Sequence, residues 1–74
     1  MDCIIICTFD NESQRWTAAS DDKHGLVLES NSLDALMERV KITMPDILKL
    51  ACNYTGLVKL HFKAERIISL EAVD

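Results

Sequence analysis

Three patterns in this 74-residue chain predict a two-layer α+β domain, with one helix packed on one face of an antiparallel sheet and elements in the order β-β-β-α-β. A first run, "DCIIICTFD", is rich in strand-forming residues. Residues 33–51 carry a single apolar stripe at helical spacing, and the segment after them alternates apolar and polar residues. A stripe on a helix and an apolar face on a sheet bury one another, so two layers suffice.

The elements follow in order. In residues 2–10, Cys3, Ile5, Cys7 and Phe9 share one face and Ile4 and Ile6 the other. A strand apolar on both sides is expected to be central, or covered on both faces. "DNES" is a turn, since Asp and Asn bond their own backbone. "QRWTAAS" is the second strand, "DDKHG" a loop in which Gly25 supplies backbone freedom, and "LVLES" a short third strand. Ser32 is placed to cap the helix, with Asp34 in its first turn. The stripe is Leu33, Leu36, Met37, Val40, Met44, Ile47, Leu48 and Ala51. Pro45 interrupts it, because its ring clashes with the carbonyl of Lys41; a kink, or a break into a second short helix, is expected there. Asn53 or Gly56 suits the left-handed backbone that ends a helix. Residues 57–73 read as one long final strand, with Val58, Leu60, Phe62 and Ala64 inward and Lys59, His61, Lys63 and Glu65 outward. The pattern shifts at Arg66–Ile67–Ile68, which suits a bulge or bend.

Residues 1–74 form one small domain, and a chain of this size is marginally stable alone. Cys3 and Cys7, four apart on one strand face, stand about 13 Å apart, too far for a disulfide. With Cys52 the expectation is three reduced, mostly buried thiols. The two histidines, His24 and His61, fit no zinc spacing, and no metal or cofactor is expected. No secretory leader precedes "CIIIC", which is too short to span a membrane, so the protein is expected to be cytoplasmic. The formal charge is −4. Residues 1–31 hold Asp2, Asp10, Glu12, Asp21, Asp22 and Glu29 against Arg15 and Lys23, and the rest of the chain balances. Such a surface repels nucleic-acid phosphates and attracts basic partners.

The run "WTAASDDKHGLVLESNSLDAL" carries a more specific signal. It sets an aromatic in the second strand (Trp16), then Asp21 and Asp22, a Gly before an apolar strand (Gly25, Leu26), then a Ser cap with Leu and an acid (Ser32, Leu33, Asp34). This order resembles the N-terminal domain of the HicB-like antitoxin family, most closely a short branch known as a domain of unknown function; "MPDILKL" also matches that branch. The resemblance covers residues 3 to about 71. It implies a HicB-like, partly double-stranded-RNA-binding-like fold and a bacterial antitoxin that masks the catalytic His of a small basic ribonuclease toxin. Two departures matter. The sequence shows no ribbon-helix-helix or helix-turn-helix after the last strand, so direct DNA binding is not expected. His24 stands where the family commonly has Pro.

The individual residues admit plain readings beside functional ones. Trp16 is a half-buried hairpin anchor, a partner contact, or both. Asp21 and Asp22 are adjacent, point apart as strand-end residues, and so do not converge as an acid–base pair. They serve as turn formers or as a docking site for a basic partner. His24, in a loop without a nucleophile elbow, is not expected to be catalytic. His61, between two lysines whose charge disfavours its protonation, is read as a surface residue. The row Lys59, His61, Lys63 lacks the interleaved aromatics of an RNA-binding sheet. No catalytic residue is therefore assigned. The expected function is a non-enzymatic, antitoxin-like interaction protein that occludes a small basic ribonuclease toxin, through Trp16, Asp21, Asp22, His24 and Gly25. Self-association as a dimer or higher oligomer is expected through Ile67, Ile68 and Leu70 or through sheet edges. The alternative is an orphan small-ligand or RNA-binding regulatory domain of the same fold.

Overall fold

The computed structural model describes residues 1–21 and 25–73. Its elements are β1 (Asp2–Asp10), β2 (Arg15–Ser20), β3 (Val27–Ser30), α1 (Leu33–Cys52) and β4 (Lys59–Glu65). The predicted β-β-β-α-β order stands, with one helix on one face of a four-stranded sheet of order β3-β2-β1-β4.

One part of the fold prediction is corrected: the sheet is mixed. β1–β2 and β2–β3 pair antiparallel, but β4 runs parallel to β1, with Cys3 opposite Leu60 and Ile5 opposite Phe62. The cause is the length of α1. Twenty helical residues span about 30 Å, which is the length of a nine-residue strand. The helix therefore returns the chain to the end of the sheet where β1 starts, and β4 must run the same way.

The core lies between the helix and the covered face of the sheet. Cys3, Ile5 and Cys7 are buried to 1% or less, beneath Leu36, Val40, Met44 and Leu48, with Ala18 and Leu26 completing the cluster. Both helix ends are capped. Ser32 Oγ accepts from Ala35 N at 3.3 Å, and Asn53 takes the left-handed conformation at φ 50° while its N–H and that of Tyr54 reach back to Lys49 and Leu48 carbonyls.

Several finer expectations are replaced. α1 is one helix through Pro45, so the two-helix reading does not hold. The stripe on each side of the proline buries against the same sheet, and that tertiary packing outweighs the local penalty. Of the two alternatives for β1 the central position holds, and the strand is covered on one face only: Ile4 is half-buried and Ile6 exposed. Ala51 and Cys52 lie past the last buried turn and are exposed. The final strand stops at Glu65, because β1, its pairing partner, ends its register with β4 at Thr8.

Pro45 is exposed and cannot donate to the Lys41 carbonyl. Pro45→Ala restores that bond and should raise unfolding stability by about 1–3 kcal/mol, read as a shift in the urea midpoint at unchanged m-value.

Candidate functional site

The predicted partner-binding residues divide between the two ends of β2. Trp16 lies near its start, facing the helix side, half-buried against the core and edge-on to Phe9 with centroids 5.3 Å apart. Asp21 follows the strand's other end, about 17 Å of strand away. It is exposed, and its N–H donates to the Ile4 carbonyl at 3.2 Å. Trp16 therefore does not flank Asp21. Asp22 and His24 lie outside the described residues. Gly25 has φ +79°, and an added Cβ would meet nothing within 4 Å, so glycine serves the backbone there rather than the available space. Ser20 and Leu26 close the loop: Ser20 N donates to Leu26 O and Leu26 N donates to Ser20 Oγ, both at 3.2 Å.

What the fold does assemble is the sheet face turned away from α1. Two cross-strand rows lie at its centre. Val27, Ala19, Ile6 and Lys63 form one; Glu29, Thr17, Thr8 and Glu65 form the other. Val27 is 66% exposed and Ile6 38%. Around the first, apolar row stand the exposed carboxylates of Asp10, Asp21 and Glu29, with Arg15 paired to Glu29 at 3.5 Å. The face thus has an apolar centre and an acidic rim over β1–β3, while Lys59 and Lys63 lie along β4. Sequence reasoning missed this surface because an apolar pattern on both sides of β1 fits a central strand as well as one covered on both faces. The signal was present in the polar outward residues of β4, where His61 and Lys63 pair with Ile4 and Ile6.

Two carboxylates on this side are tuned by their contacts. His61 Nε2 lies 2.9 Å from Asp2 Oδ1, and this hydrogen bond holds the Asp2 carboxyl below its usual range. Asp10 is lowered by the Ser13 hydroxyl at 2.9 Å and the Glu12 N–H at 3.1 Å, which together pin the β1–β2 turn. The row Lys59–His61–Lys63 is solvent-exposed, as expected, but an acid already engages its middle member. Cys7, buried in the core, has its thiol pushed up by desolvation. Among the described residues no group of three or more His, Cys, Asp or Glu is placed to hold a metal ion.

A second feature lies on the helix side. α1 packs over β2 and β3 rather than over β4. This leaves a groove of about 540 Å³ between the second half of α1, the 54–58 connection and Leu60. Met44, Pro45, Leu48, Tyr54 and Val58 form much of its wall, and Lys41 and Lys49 also line it. Among the described residues no helix is long and apolar enough to cross a membrane.

Gly25→Ala should destabilise the domain by about 1–2 kcal/mol, the cost of a left-handed alanine, measured by chemical denaturation. The lowered carboxyls of Asp2 and Asp10 contribute stability that is present above their unfolded-state values and lost as pH falls through the folded ones. Asp10→Asn should therefore shrink the acid-side drop in melting temperature, with little change in the slope near neutrality.

Comparison with known proteins places this architecture. A search of curated proteins gives no match. Among solved structures, the hypothetical protein TTHA1013 from the extremely thermophilic bacterium Thermus thermophilus superposes with a TM-score of 0.77 at 25% identity, covering 95% of this chain and all of the other. The profile of a domain of unknown function, DUF1902, matches residues 2–70, which include every strand and the helix described above. The chain belongs to the DUF1902 family.

Proposed function

We propose that this protein is a non-enzymatic, antitoxin-like interaction protein that binds a small basic ribonuclease and occludes it. The observation that carries the reading is the uncovered sheet face, where Val27, Ala19 and Ile6 form an apolar centre within the carboxylates of Asp10, Asp21 and Glu29. An apolar centre with a charged rim is the anatomy of a protein interface. The acidic rim selects a basic partner and speeds encounter, while the apolar row sets the dissociation rate. The resemblance of "WTAASDDKHGLVLESNSLDAL" to HicB-like antitoxins supplies the class of partner by analogy. The docking centre moves accordingly from Trp16, which is occupied with Phe9 and the core, to the open face beside Asp21.

A second reading, a regulatory domain for a small apolar ligand, has the groove beside Leu60 as its support.

Capture of the tagged protein from its native cells, followed by dissociation, tests the first reading. The expected result is a ribonuclease activity that appears on dissociation. It should be suppressed when the wild-type protein is added back, but not by the Asp21→Lys/Glu29→Lys variant. No released activity, or equal suppression by the variant, would overturn the assignment.

A further inference from the structure

Residues 66–73 contain more apolar surface than a solvated segment needs. Ile67, Ile68, Leu70 and Val73 are 67 to 88% exposed. The molecule measures 57 × 20 × 19 Å, with a radius of gyration of 14.8 Å against about 11 Å for a compact chain of this length. Its longest strand and its helix each account for about 30 Å of that length. The remainder is what eight extended residues span. The segment is therefore an arm that leaves the Glu65 end of β4. Its base is fixed to the body: the Arg66 guanidinium lies 3.9 Å over the Phe9 ring, and Asn11 Nδ2 makes a long 3.5 Å contact with Ile67 O.

The arm keeps the alternation of β4. Val58, Leu60, Phe62 and Ala64 are followed in phase by Arg66, Ile68, Leu70 and Ala72. An arm extending the strand thus presents Ile68, Leu70 and Ala72 on the helix side, beyond the reach of its own helix. The groove that would accept such side chains lies at the opposite end of β4, by Leu57, Val58 and Leu60. A chain's own arm does not reach it. With Arg66 and Ile67 held at Phe9 and Asn11, a fold-back would begin at Ile68, and Leu70 would fall short of a groove about 20 Å away.

We infer that the arm belongs to a second copy of this chain: in a two-fold dimer, each arm lies antiparallel along the outer edge of the other copy's β4 and sets Ile68 and Leu70 into its groove. β4 pairs with β1 on one side only, so its other edge has backbone groups to offer. Met44, Pro45, Leu48, Tyr54 and Val58 supply the apolar wall against which Ile68 and Leu70 would pack. The exchange is reciprocal, as a two-fold interface requires. Four exposed apolar arm residues per copy, Ile67, Ile68, Leu70 and Val73, are the surface such an exchange has to cover. This inference is independent of the docking role of the open face, which stays uncovered in such a dimer.

The test is the solution mass of the full chain by light scattering, together with a photoreactive benzoylphenylalanine at position 70. The expected mass is twice 8.4 kDa, with cross-links falling between residues 44 and 60 of the other copy. The Ile68→Asp/Leu70→Asp variant should keep its circular dichroism and cooperative melting, since neither residue is in the core, yet associate about a hundredfold more weakly. A chain that stays monomeric from micromolar to millimolar concentration would overturn the inference. So would a dimer indifferent to that variant, or cross-links confined to arm against arm or to the open sheet face.

Discussion

Everything else in this domain depends on the burial of one face of one strand. Cys3, Ile5 and Cys7 are the floor on which Leu36, Val40, Met44 and Leu48 rest. The strand is also the one that pairs on both sides with long neighbours, β2 and β4. Small side chains suit that floor. Two cysteines and Ala18 are fully covered there, together with the larger Ile5, Leu36 and Met44. Desolvation keeps the Cys7 thiol in its neutral, packing form.

The position of α1 over that floor determines what is left to interact. Because the helix sits toward β3 and β2, it leaves the helix side of β4 open as a groove. Because a single helix covers the sheet, the other face lies open among the described residues. A second layer there would have hidden Ile6 and Val27; without it, the acidic loops and turns of the first three strands frame an apolar centre. The two surfaces are on opposite sides of the sheet and differ in chemistry. One is rimmed by carboxylates, and the other carries lysines beside apolar residues.

Much of this was legible in the residues. β1 is bounded as its composition suggests, and Ser32 and Asn53 cap the helix as their side chains predispose them to. The helix stripe is the buried face through Leu48, and the wet row of β4 is exposed. The misses have a common origin in tertiary context. Alternation in residues 57–73 is the same whether or not a neighbouring strand is present, so it could not show that pairing stops at Glu65. Strand direction is likewise invisible in alternation; only the length of α1 reveals that β4 runs parallel to β1. Pro45 shows the reverse case, a local breaker overruled by burial on both of its sides. Of the candidate site, Asp21 and Gly25 lie at the exposed loop end as read. Trp16 stands apart from them, because sequence proximity to that loop conceals the length of strand between them.

The parallel pairing of β4 with β1 also bears on how the chain reaches this state. Residues 2–8 find their β4 partners some 57 positions away, whereas β1–β2 and β2–β3 close through short turns. Loop closure over such a distance is costly until the helix has docked, so β4 is the late step in a sheet that otherwise forms locally. Until then the Ile- and Cys-rich first strand has one bare edge. A newly made chain therefore spends its most vulnerable interval with its future central strand acting as an edge, open to any other extended segment, including the β4 or arm of a neighbouring chain. The same unpaired interval that threatens aggregation is the one in which two nascent copies would most readily exchange strands.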